Sequence, residues 1–434
     1  MRRFIVPLCM AAILFGHGRA GAQPYPQPYP QPYVQPTPPS QLPAPAPSAW
    51  PREAAEPLTL DAALALATAG NFSLSAAAKE LDATEGAIRQ ARTLRNPEVA
   101  LAMEDTRRET RATTAQVNLP IELGGKRAAR ISAAELGRDV AQAQWRSAQA
   151  DLRATVIAAF FGVAVAQERV RLATASVDIA RKGADAAARR VAAGKVSPLE
   201  ETRAAVEQAN AELELADATA ELQSSRQALA ALWGNASPQF TEVRGDLDAL
   251  PSRPAPEQLL AALDESPLLL GSRLEVGRRQ ALVDIERSRR YPDITVSVGT
   301  KRDNEANRTM PVLGVAIPLP LFDRNQGNLY ESIRRADKAA DEFLANRIRL
   351  TNELQQASNQ LAVSRSSAQA LKATVLPAAE RAYEAATRGF EAGKFDFLNV
   401  LDAQRTLFQA RIRYLGVLAR AYQAATTIDR IVGR

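Results

Sequence analysis

Asn96-Pro97-Glu98-Val99-Ala100-Leu101-Ala102-Met103-Glu104 decides the fold, because its side chains alternate and because the pattern returns later in the chain. Val99, Leu101 and Met103 would point to one side of an extended segment and Glu98, Ala100, Ala102 and Glu104 to the other, the period of two of a β-strand. Past the polar stretch Arg107 to Arg111, Val117, Leu119 and Ile121 alternate with Gln116, Asn118 and Glu122. The opening segment comes back as Tyr291-Pro292-Asp293-Ile294-Thr295-Val296, and Leu313, Val315, Ile317 and Leu319 alternate with small residues beyond the turn at 303–308. The expected strands are about 96–106, 113–123, 291–302 and 309–321, roughly the ten residues that cross an outer membrane at a tilt. Four strands cannot close a barrel in lipid, where an open edge is not tolerated, so spanning strands would have to be shared between subunits.

The return is part of a longer repetition. Val117-Asn118-Leu119-Pro120 comes back as Ala316-Ile317-Pro318, Ala193-Gly194-Lys195 as Ala392-Gly393-Lys394, and Leu232-Trp233-Gly234 as Ile431-Val432-Gly433. Landmarks in one order at a nearly constant offset indicate one structural unit used twice. The repeats are expected at 58–234 and 255–434, joined by a linker at 235–254.

The rest reads as long helices, at 126–193 and 198–232 in the first repeat and 326–392 and 397–432 in the second. Val156, Val163, Val170 and Val177 recur every seven residues with Ala159, Ala166, Ala173 and Ala180 three places on, a heptad seam with alanine on one row. The matching seam uses Phe343, Leu350, Ala357 and Leu371 with Leu354, Leu361, Ala368 and Val375, interrupted by Arg347 and Ser364, with a proline at Pro377. A helix of about 67 residues is roughly 100 Å long at 1.5 Å per residue. Each should stop at a Gly-Lys turn, Gly194-Lys195 or Gly393-Lys394, before its return helix.

Met1-Arg2-Arg3, the apolar run from Phe4 to Phe15 and Ala20-Gly21-Ala22 before Gln23 have the three parts of a secretory signal, with cleavage expected between Ala22 and Gln23. No later stretch reads as a membrane-spanning helix. Residues 23–57 hold thirteen prolines, five of them alternating with Gln and Tyr at the start, an extended spacer. The chain of 434 residues carries 54 Lys+Arg and 48 Asp+Glu, a formal +6 that falls to +3 once Arg2, Arg3 and Arg19 leave with the signal, so nothing in its charge points to nucleic acid. Cys9 and His17 are the only cysteine and histidine, and both lie in the signal. The mature chain therefore lacks the side chains of Cys–His and Ser–His–Asp catalysis and of His/Cys metal sites, and we expect no enzyme, cofactor or tight metal site.

A signal peptide, a duplicated hairpin-plus-long-helix-pair unit and glycine turns at the far ends together resemble the TolC family of outer-membrane efflux proteins. Leu119-Pro120-Ile121-Glu122-Leu123-Gly124-Gly125-Lys126-Arg127 and Pro320-Leu321-Phe322-Asp323-Arg324-Asn325-Gln326-Gly327-Asn328 are similar to the cobalt–zinc–cadmium resistance branch. The resemblance implies a mainly α protein with a small β part. Three subunits would share a twelve-stranded transmembrane β-barrel, and antiparallel helical hairpins would continue it as an α-barrel tunnel into the periplasm of a Gram-negative cell. It implies a passive duct for divalent cations, delivered by an inner-membrane resistance–nodulation–division (RND) pump through a periplasmic adaptor, or membrane fusion protein. The partners are then two further copies of the chain, the adaptor, the pump and outer-membrane lipid.

The family gate lies on the return helix after the second glycine turn, often with two acids three residues apart. Here Asp402 matches the second acid and Asn399 stands in place of the first. Arg203 is the repeat-one counterpart of Asp402 and could pair with it across a closed tip. Phe390 and Phe395 stand where well-known members carry a Tyr and an Arg, which implies a more apolar constriction. A drug or solvent duct of the same architecture, a periplasmic adaptor and a structural envelope protein are the rival readings.

Overall fold

The computed structural model describes Glu53, residues 57–247 and residues 249–434. The signal segment, its Ala22–Gln23 cleavage site and nearly all of the proline-rich segment lie outside the described residues. In chain order come β1 (Leu58–Thr59), α1 (Leu60–Gly70), α2 (Phe72–Arg92), β2 (Glu98–Glu104), β3 (Ala112–Ile121), α3 (Lys126–Ala192) and α4 (Pro198–Ala231). There follow β4 (Val243–Arg244), α5 (Pro256–Leu263), α6 (Pro267–Ser288), β5 (Ile294–Asp303), β6 (Arg308–Ala316), α7 (Gln326–Ala370), α8 (Leu376–Glu391) and α9 (Phe397–Val432), with a π-helical turn Leu371–Val375 between α7 and α8. The protein is mainly helical with few strands.

The strands β2, β3, β5 and β6 form one antiparallel sheet in that order. Its register aligns Val99 with Val117, Val117 with Val298 and Val298 with Leu313, a row of apolar side chains on one face. Leu119, Val296 and Val315 form the next row. Most of these side chains are exposed, as are Leu101 and Met103. The other face is small or polar: Asn118, Ser297 and Gly314 align across it, and Asn118 Oδ1 accepts from Gln116 Nε2 at 3.2 Å and from Ser297 Oγ at 2.8 Å. β2 stops at Glu104 because Asp105 adopts a left-handed backbone (φ 64°), which cannot continue a ladder.

The strand-to-helix turn after β3 uses Gly124 (φ 70°) and Gly125 (φ 74°), backbone angles that L side chains rarely adopt. A Cβ on Gly124 would run into the Tyr291 side chain. From Lys126 the helix α3 continues for 67 residues, since no proline interrupts it. Val156, Val163 and Val177 are buried along its seam with Ala166, Ala173 and Ala180, while Val170 is only half-buried. α3 also contains an 18-residue window of mean hydropathy 1.4, long and apolar enough to cross a membrane, contrary to the expectation that no later stretch would qualify. Val156, Phe160, Val163 and Ala164 of α3 are buried and pack with Trp233 and Phe240, and 39% of the apolar window is buried.

In the second half Leu350, Leu354, Ala357, Leu361, Ala368 and Leu371 are buried. Ser364 does not interrupt this seam: it is buried with them, its hydroxyl accepting from Gln360 Nε2 at 3.0 Å. Val375 leaves the seam. It falls in the wide π turn that precedes Pro377, where the helical phase slips, and is exposed.

Glu53 is 6% exposed and its carboxylate is fully used. It accepts from Trp233 Nε1 (2.7 Å), Asn235 Nδ2 (2.8 Å) and the backbone N–H groups of Gln239 (2.8 Å) and Phe240 (3.2 Å). The chain between α4 and α5 is held by Tyr422, which donates to the carbonyls of Asp246 (3.0 Å) and Ala249 (2.8 Å) while its ring stacks on Phe161.

Candidate functional site

Two regions bear on function: the turns that join the long helices, and the junction from which the sheet leaves them. At the end of α3 the N–H of Gly194 (φ 66°) donates to the Val191 carbonyl at 2.8 Å and that of Lys195 to Arg190 at 2.9 Å. At the end of α8 the N–H of Gly393 (φ 68°) donates to Phe390 at 3.0 Å and that of Lys394 to Gly389 at 2.8 Å. Both are Schellman turns, in which glycine reverses the chain and satisfies the last carbonyls. Ser197 then caps α4, its Oγ accepting from the Leu199 N–H, with Pro198 in the first helical turn where no N–H is required.

Just inside these turns α4 and α9 line a cleft of about 300 Å³ that holds Arg203, Val206, Glu207, Leu398, Asp402 and Arg405. The structure thus brings Arg203 and Asp402 into one cleft without pairing them: among the described residues neither forms an ion pair. The pair that crosses the cleft is Arg405 with Glu207, Nη2 lying 2.8 and 2.9 Å from the two carboxylate oxygens. Asn399 is exposed on the first turn of α9, one helical turn before Asp402 and on its side of the helix. Phe390 packs beside buried Ala187, Ala204, Ala386 and Val400, with the Arg190 guanidinium 4.1 Å from its ring centre. Phe395 lies over Gly389, where a Cβ would collide with its ring. Glu207 and Arg190 escaped the sequence reading. The usable signal was that Glu207 stands 198 residues before Arg405, nearly the repeat offset.

At the opposite end of α3 five charges meet. Glu122 accepts from Arg130 Nη1 at 2.5 Å and from Arg95 Nε at 3.2 Å; Asp293 pairs with Lys126 Nζ at 2.5 Å and with Arg95 at 3.6 Å. Arg95 therefore joins the carboxylate that ends β3 to the one that precedes β5. The hydrogen bond from Arg130 holds the Glu122 carboxyl below its ordinary range against the effect of burial. Burial pushes the Asp293 carboxyl up, but the Lys126 ammonium, the Leu123 N–H and the charge of Arg95 outweigh it and the net shift is downward.

Among the described residues no three Asp, Glu, His or Cys side chains converge where a metal ion could sit. The arrangement offers a sheet with one apolar face, a polar face, and a charged cleft at the far end of long helices.

The family model described as "Outer membrane efflux protein" matches residues 63–235 and 259–434. The chain is 68% identical over 385 residues to "Cobalt-zinc-cadmium resistance protein CzcC" of Cupriavidus metallidurans, covering 89% of this chain and 92% of that one. It is 34% identical over 316 residues to "Nickel and cobalt resistance protein CnrC" of the same organism, covering 71% and 73%. Its fold is similar to the crystal structure of a membrane protein from Pseudomonas aeruginosa, with a TM-score of 0.75, 20% identity, and 86% of this chain and 92% of that chain covered.

Proposed function

The chain belongs to the outer membrane efflux protein family, and we propose that three copies build one channel through which divalent metal cations leave the cell. The observation that carries this reading is the four-stranded sheet. Its apolar face is turned to the outside, its polar face bonds to itself, and β2 and β6 are edges without a strand partner among the described residues. In lipid an open edge leaves backbone groups unsatisfied, at several kcal/mol each, so an isolated sheet of this kind does not span. Three sheets joined β6 to β2 give twelve strands and no edge. The ten residues of β3 and of β5, tilted by roughly 40°, cross about 25 Å of apolar thickness, and the seven of β2 cross about 18 Å.

The order hairpin, long helix, return helix occurs twice, which supports two repeats at 58–234 and 255–434 joined by the segment 235–254, with a signal at 1–22 and a linker at 23–57. The twelve long helices of three copies would continue the barrel as a periplasmic tunnel ending at the Gly194 and Gly393 turns. A periplasmic adaptor and an inner-membrane RND pump deliver the cargo, and the channel adds no chemistry. Similarity to the CzcC and CnrC resistance proteins supports cobalt, zinc, cadmium and nickel as the cargo class. A conduit is served by carboxylates that form no metal cluster among the described residues, such as Asp402, which attract cations and release them quickly.

The test is deletion of the gene in its host, with growth scored on Co²⁺, Zn²⁺, Cd²⁺ and on organic toxicants. Sensitivity to the cations, restored by the intact gene, is expected. Sensitivity confined to organic compounds would transfer the protein to drug or solvent export, and no change in any of them would overturn the proposal.

A further inference from the structure

α9 ends against the start of α6: a Cβ on Gly433, just past α9, would collide with the Pro267 ring that opens α6. Beside this joint α3, α6 and α7 enclose a cavity of about 400 Å³. Much of its wall is apolar, made by Val140, Ala143, Ala148, Pro267, Leu268 and Gly271, and small residues keep it open. A Cβ on Gly271 would already touch that of Ala143, at 3.4 Å. Most of the charge in the lining is taken up. Glu275 accepts from Arg278 (2.6 and 2.8 Å) and from Arg279 (2.7 Å), and Arg349 donates to Glu353 (2.7 Å) and to Asn346 Oδ1 (3.3 Å). Asn346 Nδ2 donates in turn to Ser272 Oγ at 3.0 Å. Asp151 of α3, which also lines the cavity, is different. Among the described residues its carboxylate accepts no hydrogen bond, and its one ion contact is Arg430 Nη1 at 3.8 Å, a guanidinium whose Nη2 is already held by Glu353 at 3.3 Å. Burial raises the Asp151 carboxyl above its ordinary range, and the charge of Arg430 only partly offsets it.

We propose that this cavity binds a small amphipathic amine, its ammonium on Asp151 and its carbon body against the apolar wall of α3 and α6. The volume lies in the range of small-molecule sites. Three other classes of ligand fit less well. An anion would meet Asp151 while the arginines nearby, Arg349 and Arg430, are engaged with Glu353. A bare divalent cation would find one available carboxylate where about six oxygen ligands are needed, and an apolar wall cannot replace its hydration shell. A neutral apolar molecule would leave Asp151 without a close partner. An ammonium supplies the charge and the N–H donors that Asp151 lacks, with Ser147, one helical turn earlier and also in the lining, as a further acceptor. The carbon body then removes apolar surface from water. All the lining residues belong to one chain, so the inference goes beyond the channel reading without resting on it.

The test is a saturation-transfer NMR titration of the full mature chain in detergent, its oligomeric state checked by crosslinking. The probes are phenethylammonium and the isosteric neutral alcohol 2-phenylethanol. Phenethylammonium should bind with a dissociation constant of roughly 10⁻⁴–10⁻³ M, and the alcohol at least about tenfold more weakly. Asp151→Asn should weaken the amine at least about tenfold and leave the alcohol unchanged, a split that loss of folding would not produce. Ala148→Leu fills the cavity with Asp151 intact and should abolish binding of both probes, while melting curves show that each variant is folded. Zn²⁺ in roughly tenfold excess over the amine should not displace it. Equal amine affinity in Asp151→Asn, or binding that survives Ala148→Leu, would overturn the site. Displacement by Zn²⁺ would assign Asp151 to the cation path and overturn the amine as its ligand. No binding to the wild-type protein would show the cavity closed in the assembled molecule and overturn the proposal as well. Growth on metals, which tests the channel, is independent of each of these outcomes.

Discussion

Arg405 on α9 reaches both carboxylate oxygens of Glu207 on α4, at 2.8 and 2.9 Å, and this ion pair spans the cleft that also holds Asp402. The return helices of the two halves are thereby tied near the tip, while Asp402, in the same cleft, forms no ion pair among the described residues. One carboxylate holds the helices and another faces the cleft, so the two should give different phenotypes.

Glu207→Gln keeps the shape of the side chain and removes the pair. A half-exposed pair contributes up to about 1 kcal/mol, roughly fivefold in an equilibrium, and three copies acting together would multiply it. Channels in planar bilayers should open more often than wild type while the fold and the trimer persist. Unchanged open probability would mean that the pair does not hold the tip.

Asp402→Ala should act on selectivity. If three copies place Asp402 at the mouth, as proposed, its loss lowers the local cation concentration and reversal potentials in a salt gradient should shift toward anions. Because Asp402 has no ion partner among the described residues, open probability should change little. The neutral Gln404→Ala is the control, and equal selectivity in all three proteins would show Asp402 to be an ordinary solvated helix residue.

The junction predicts an acid limit. Glu122 and Asp293 both titrate below their ordinary range when folded, so the stability they contribute is present above the unfolded carboxylate values, near pH 4, and is lost as pH falls through the lower folded values. Melting temperatures of detergent-solubilised protein should drop between pH 5 and 3 by this route. Glu122→Gln combined with Asp293→Asn should lower stability at pH 7 and flatten the acid slope. A double variant with the wild-type slope would assign acid loss to other groups.

Gly124 and Gly125 share a left-handed backbone but not a neighbourhood, since only at Gly124 would a Cβ strike Tyr291. Gly125→Ala should cost about 1–2 kcal/mol for the backbone alone. Gly124→Ala adds the collision and should melt lower still, and Tyr291→Ala should rescue part of that difference. Equal melting temperatures for the two glycine variants would contradict the geometry.

Calorimetry with Zn²⁺ on the mature protein should give no affinity tighter than roughly 10⁻⁴–10⁻³ M, the range of weak oxygen-ligand sites. Submicromolar binding would require a ligand cluster that the described residues do not form, and would change the reading from conduit to carrier.

Much of this was legible in the sequence because it depends on local rules. Alternation over Glu98–Glu104 and Ile294–Asp303 marks strands, a proline-free run from Lys126 marks a long helix, and Gly194 and Gly393 mark its ends, since each constraint acts within a few residues. Resemblance of the two strand-to-helix motifs carried the family. What only the tertiary structure decided is which residues face each other. The sequence paired Arg203 with Asp402 by repeat offset, but a shift of a few residues between helices moves side chains by most of a turn, and the partner of Glu207 became Arg405. Ser364 looked like a break in a seam and is buried in it, because Gln360 satisfies its hydroxyl. Val375 belonged to the seam by counting and left it, because the π turn before Pro377 resets the helical phase. Glu53, in a stretch that composition assigns to a spacer, is fixed by four donors that lie some 180 residues away, a distance over which periodicity carries no information.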